Sequence, residues 1–343
     1  MSSSLETEAA PARRGSRVSR FLESRYLGLV GLAVALLAPF VTASTYSLSV
    51  MTSALLFVML AVGLNIVVGY CGLLDLGYAA FFAIGSYTSG VLATQYGWSI
   101  LATIPVVILA AVVAGIVIGG PTLRLRSDYL AIVTLGFGEI IRITANNLEV
   151  TGGPSGIYGI PGLGIGGLDL SSPVAFYYTC VVVVSLAVLG ASRIGRGRLG
   201  RAWRFVREDE DAAEAMGINT YKVKLAAYIA GAIWGGLAGI LFGVQLTAIS
   251  PQSFTFLWSA LILMAVVLGG MGSTPGVVIG AVFVSVTPEL LRGAADYRFF
   301  IFGVLLIVVM IFRPQGLLPS RASEPLAARR PSHDSGAIEE AQL

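Results

Sequence analysis

Glu139 and Arg142 stand three residues apart inside an apolar stretch, so on a helix both project from one face and can pair. An Arg or Asp at the centre of a membrane helix costs roughly 2.5–3.5 kcal/mol on insertion scales, so it needs a partner or a wet cavity. Two readings follow, a structural intramembrane pair and a role in a substrate pathway. Asp75 is the other candidate, set in the glycine-rich run Gly69-Tyr-Cys-Gly72-Leu-Leu-Asp75-Leu-Gly77-Tyr78. If the helix breaks there, the carboxylate can bind an ammonium group or cap a half-helix N-terminus. Its place near the cytoplasmic end of its span favours a cap or gate.

Other chemistry is sparse. The single histidine, His333, lies in the polar tail, which leaves the apolar region without an imidazole base or metal ligand. Cys71 and Cys180 fall in or beside apolar segments and read as packing residues. HExxH, GxSxG and GxxxxGK[ST] are missing, and the lysines are Lys222 and Lys224 alone, so the chain forms no P-loop of its own. The run Gly162-Leu-Gly164-Ile-Gly-Gly167 matches GxGxxG by spacing, but no strand and helix frame it. No catalytic residue, metal site or cofactor is therefore expected on this chain. If ATP drives its work, another chain binds the nucleotide and its Mg.

These residues need elements to position them, and composition fixes the kind. The 343 residues are 56% hydrophobic and 12% charged, about half the charged fraction of an ordinary soluble domain. Apolar runs near the ~20 residues that span a bilayer recur from Leu27 to Phe312. They predict an all-α polytopic membrane protein of about ten helices with interruptions. The spans are placed at Leu27–Ala43, Leu48–Val68, Leu73–Thr94, Ser99–Gly119, Tyr129–Ala145, Pro173–Ala191, Leu225–Leu246, Phe256–Gly270, Gly276–Leu291 and Phe299–Phe312. The first is longer than a signal-peptide core and reads as an anchor. The expected organisation is a cytoplasmic polar N-terminus over 1–24, a transmembrane domain over 25–318 and a disordered cytoplasmic tail over 319–343.

Basic residues set the orientation, because short cytoplasmic loops retain Arg and Lys. With both termini inside, the head, the Arg124–Arg126 turn, the 193–224 loop and the 313–330 segment collect nearly all of them; Arg292 and Arg298 fit poorly. Asn146–Ser172 and Leu246–Phe254 fall outside and contain neither Lys nor Arg. Inside, six arginines from Arg193 to Arg207 give way to Glu208-Asp209-Glu210-Asp211 and then to Ala212, Ala213, Glu214 and Gly217. Asp211–Met216 predicts a short helix stopped by Gly217. It serves either as a membrane-surface loop or as a docking helix for a cytoplasmic partner. Gly231, Gly235, Gly239 and Gly243 follow one another at four-residue spacing and predict close helix packing. Gly269-Gly-Met-Gly272-Ser-Thr-Pro-Gly276 reads as a second helix break.

Several of these segments together resemble the LivM-type permease of branched-chain amino-acid ABC importers. They include Leu64 to Phe81, Leu123 to Arg142, Thr151-Gly-Gly-Pro-Ser-Gly156, Glu208 to Asn219, Ser250-Pro-Gln-Ser-Phe254, Leu268 to Gly272 and Phe312-Arg-Pro-Gln-Gly316. They run in family order from about Leu64 to Leu318. The resemblance implies a permease subunit in the inner (plasma) membrane of a prokaryote. Its implied partners are two ATP-binding subunits, a homologous LivH-like second permease and an extracytoplasmic solute-binding protein. It also makes Asp211, Ala212, Ala213, Glu214 and Gly217 an EAA-type coupling segment, with Asp in place of the pattern's Glu. Asp75 and Tyr78 stand where similar permeases often have Ser and His, which with Glu139 and Arg142 makes them the candidate translocation pathway. Urea or short amides are the alternative cargo, and an ion-coupled secondary transporter is the alternative class.

Overall fold

The computed structural model describes residues 25–41, 44–123, 127–165, 168–291, 297–313 and 316–318. The head 1–24, the Arg124–Arg126 turn, Arg292, the tail 319–343 with His333, and the last two glycines of the GxGxxG run lie outside the described residues.

Each apolar segment contains a helix. These are α1 (Arg25–Val41), α2 (Thr45–Leu64), α3 (Ala79–Gln95), α4 (Ile100–Thr122), α5 (Ser127–Asn147) and α6 (Pro173–Arg196), then α9 (Thr220–Leu246), α10 (Phe256–Gly269), α11 (Thr274–Leu290) and α12 (Arg298–Phe312). Among the described residues, five apolar stretches are long enough to cross a membrane: Thr45–Tyr70, Ile100–Thr122, Pro173–Arg196, Thr220–Leu246 and Pro251–Gly269. The chain is an integral membrane protein.

Start signals match side chains to orphan amides. The hydroxyls of Ser44, Ser99, Ser172 and Ser273 accept from the backbone N–H three residues on, at the heads of α2, α4, α6 and α11. Asn219 does the same for α9 through Lys222.

The 193–224 loop, expected inside, contains more helix than its sequence suggested. Its arginine run forms α7 (Arg198–Glu208), and α8 (Glu210–Ala215) follows after one residue. Gly200, Trp203 and Val206 are buried while Arg198, Arg201 and Phe205 are exposed, a helical periodicity that the density of arginines had hidden.

The centre is built by α2, α3 and α9. From Leu56 to Leu64 every residue of α2 is buried, and a π-helical turn, Asn65–Tyr70, continues it. Within the glycine stripe, a Cβ on Gly239 would overlap the Phe82 carbonyl oxygen, and the backbones touch there. Ser86 seals the contact by donating to the Gly239 carbonyl at 2.9 Å. Gly243 is looser, since a Cβ there would meet Ile160 at an ordinary 3.4 Å. At the periphery α1 leans on α6, where the Tyr177 hydroxyl donates to the Ala35 carbonyl at 2.7 Å.

Two loops expected on the same side pair directly. Strands β1 (Ile157–Tyr158) and β4 (Ala248–Ile249) are antiparallel, with Ile157 opposite Ile249. Another pair, β2 (Gly164–Ile165) and β3 (Leu168–Asp169), forms a hairpin within the first loop.

Candidate functional site

The break around Asp75 is a real interruption. The chain leaves the π-turn at Tyr70 and resumes as α3 only at Ala79, six residues later than the expected start at Leu73. An unwound segment in a membrane leaves amides to satisfy, and three of them are met from different quarters. Gly77 N–H donates to Asp75 Oδ1 at 2.8 Å, Leu76 N–H to Thr134 Oγ1 at 3.1 Å, and Ala79 N–H to Ser259 Oγ at 2.9 Å. Helices α5 and α10 therefore hold the start of α3. Gly77 is required by proximity, because a Cβ there would overlap the Thr134 carbonyl.

Asp75 is fully buried. Its Oδ2 has no hydrogen bond of ordinary geometry, although the hydroxyls of Thr134 and Tyr228 lie near the carboxyl. Tyr78 is also fully buried, donating to the Gly231 carbonyl at 2.9 Å and packing against the glycine stripe. In this conformation both support the break from behind.

In front of the break lies a cleft of about 180 Å³. Leu76 and Ala79 form its floor, Leu135, Gly138 and Glu139 one wall, and Phe254, Phe256 and Ser259 the other. Glu139 pairs with Arg142: Nε lies 2.9 and 3.0 Å from the two carboxylate oxygens, and Nη2 also contacts Oε1. The Glu139 side chain is 42% exposed. Around it α5 presents Tyr129, Ile132, Ile140 and Ile143, all exposed. The structure thus joins Glu139 to Arg142 and to the α3 break, while Asp75 and Tyr78 stay outside the lining.

The second candidate region is the segment expected on the cytoplasmic side. Asp209 caps α8 by accepting from Ala212 N–H at 3.0 Å, and Gly217 ends it with a left-handed φ of 81°. Asp211, Ala212 and Glu214 are exposed, whereas Ala213 is fully buried. The short helix is tied to the foot of α9 by Thr220 Oγ1 on Glu214 Oε1 at 2.6 Å and by the Lys224–Glu210 ion pair. Helix α7 is tied there as well, through Trp203 Nε1 to the Val223 carbonyl at 2.8 Å.

Sequence reasoning overlooked Thr134, Ser259, Asn65 and Arg207. The first three are uncharged polar residues within apolar spans, a signal that could have singled them out. Arg207 gave no such signal among six arginines. Its guanidinium contacts the Gly69 carbonyl, and burial lowers its pKa from the ordinary value while Glu208 acts the other way.

The family model described as "Branched-chain amino acid transport system / permease component" matches residues 46–312. The chain is 41% identical over 333 aligned positions to the high-affinity branched-chain amino acid transport system permease protein LivM of Escherichia coli strain K12, covering 90% of this chain and 77% of that one. It is 28% identical over 283 positions to the permease protein BraD of Pseudomonas aeruginosa, covering 76% of this chain and 91% of that one. It is 26% identical over 292 positions to the permease protein LivH of Escherichia coli strain K12, with the same two coverages. No solved structure matches the chain.

Proposed function

Because this chain belongs to the branched-chain amino acid transport system permease family, we propose that it is the membrane-spanning permease of an ABC importer for branched-chain or related amino acids. It crosses the inner membrane with all ten apolar helices and keeps both termini in the cytoplasm. Two separate ATPase chains bind the nucleotide and Mg, a solute-binding protein delivers the cargo from outside, and a homologous LivH-like permease completes the pathway.

The observation that carries this reading is the partly exposed Glu139–Arg142 pair beside the α3 break. An ion pair opened to lipid is costly, so the α5 face must be covered. A second permease seated there would close the cleft into a path between the two chains. An amino acid carries one positive and one negative group, and a carboxylate beside a guanidinium offers each a partner. The broken start of α3 adds backbone dipoles to the same cleft. The exposed edge of α8, with Asp211, Ala212 and Glu214, is the surface for the ATPase, and Gly217 fixes the exit of the chain back to α9.

The test is leucine uptake by proteoliposomes containing both permeases, the ATPases and the binding protein. Uptake should require ATP and persist after the proton gradient is collapsed. Uptake that survives ATP depletion and stops with the gradient would instead assign an ion-coupled transporter.

A further inference from the structure

The two helix breaks, about 200 residues apart in sequence, meet in space. Asn65 Oδ1, in the π-turn, accepts from Gly272 N–H at 2.9 Å, and the Tyr70 and Thr274 hydroxyls lie 2.6 Å apart. Gly72 and Gly272 both hold positive φ, at 77° and 84°, so each break turns on a residue that tolerates a left-handed backbone. Arg207 reaches this junction from the cytoplasmic side. Its Nη1 contacts the Gly69 carbonyl, at the C-terminal end of the α2 and π-turn helix, where a cation also meets the negative end of the helix dipole. The side-chain stem lies so close to Gly72 that an added Cβ would stand 2.8 Å from Arg207 Cγ. The same guanidinium borders Gly272, where an added Cβ would stand 3.1 Å from Nη1. One turn earlier on α7, Trp203 stacks on Tyr70 with ring centres 6.4 Å apart and planes 7° from parallel.

We propose that Arg207 is a positioning residue joining the cytoplasmic α7–α8 segment to both membrane breaks, so that displacement of α8 moves the Gly69–Gly72 and Gly270–Gly272 turns together. This inference rests on the proposed function, in which α8 receives the motion of the ATPase. The two residues between Arg207 and α8 include the cap Asp209, so α7 and α8 are linked too tightly for the motion to be absorbed between them. Two glycine-hinged breaks that meet each other and border one side chain give that motion a place to act. Interaction energy concentrated in a joint of this kind is a physical coupling, since both sites bias one element.

The test uses the complete complex with Arg207→Met, which keeps the stem and removes the donors, and Arg207→Lys, which keeps charge and one point contact. In Arg207→Met, leucine transported per ATP hydrolysed should fall on the order of tenfold with basal hydrolysis retained, and Arg207→Lys should recover part of it. A second readout does not depend on the solute. A cysteine at Met271, which is half-exposed in a chain whose own Cys71 and Cys180 are buried, should change its labelling rate when a non-hydrolysable ATP analogue is added. That response should vanish in Arg207→Met. Loss of the labelling response without any leucine uptake by the parent complex would overturn the substrate assignment and leave the joint standing. An unchanged response in Arg207→Met, or none in the parent complex, overturns the joint. If Arg207→Met does not assemble, an Arg207→Lys complex with normal transport per ATP and a normal labelling response overturns it equally.

Discussion

Asp75 Oδ1 accepts a hydrogen bond from Gly77 N–H at 2.8 Å, closing the turn from which α3 departs. The bond needs an acceptor at that atom and does not need a charge. Asp75→Asn should therefore fold like the parent, while Asp75→Ala should lose about 1 kcal/mol, the usual cost of removing a cap. Thermal unfolding in detergent separates the two. A stable Asp75→Asn complex that no longer transports would assign the charge to the pathway instead of to the turn.

The glycine stripe of α9 is not uniform. Gly239→Ala forces a Cβ onto the Phe82 carbonyl and should cost about 1–3 kcal/mol. Gly243→Ala meets only ordinary contact and gains helix propensity, so it should be neutral or stabilising by up to about 1 kcal/mol. Gly235→Leu should lower the yield of assembled complex, because even its Cβ stands 3.0 Å from Phe81 Cβ. Equal losses at Gly239 and Gly243 would show that the stripe packs against something other than α3.

Glu139→Gln leaves Arg142 without its counter-charge in the membrane. Adding Arg142→Met should return part of the lost complex yield, with a coupling energy of about 0.5–3 kcal/mol in the double-mutant cycle. Leucine uptake should stay low in the double variant, since the cleft then offers neither charge. Strict additivity in yield would mean that the pair is not a unit.

Gly217 has nothing within 4 Å of an added Cβ, so a substitution there meets only the backbone penalty of its φ of 81°. Gly217→Val should cost about 1–2 kcal/mol locally and reduce solute-stimulated ATP hydrolysis and uptake together. Gly217→Asn, which tolerates this conformation, should retain both. Cross-linking gives a separate check: a cysteine at the exposed Met216 should reach an ATPase chain, and one at the buried Ala213 should not. A Met216→Cys cross-link that reaches lipid alone would place the segment on the membrane surface.

The membrane class, the positions of the apolar helices and the two breaks were legible because each has a local cause. Apolar length sets a span, and Gly72 and Gly272 stand where the helix ladder fails. The ion pair of Glu139 with Arg142 was legible because three-residue spacing places both on one helical face. Helix α7 was not, since its arginines made a helix with a buried Trp203 read as a solvated loop. Ala213 shows the same limit: Ala212 and Ala215 on α8 carry the same side chain, yet Ala213 alone in that helix is buried.

By itself the sequence determined an all-helical membrane chain, the order of its segments and the family they belong to. Tertiary structure alone decided which apolar faces are inside. The Ile100–Thr122 helix is at least as apolar as Thr45–Tyr70, yet 28% of its apolar window is buried against 78%. Lipid is as favourable to a leucine as another helix is, so hydropathy does not distinguish core from surface in a membrane. What makes that distinction is shape and hydrogen bonding between distant positions. Gly239 against Phe82, Asn65 against Gly272 and Arg207 against Gly69 each depend on how whole helices pack, a property that no local window of residues contains.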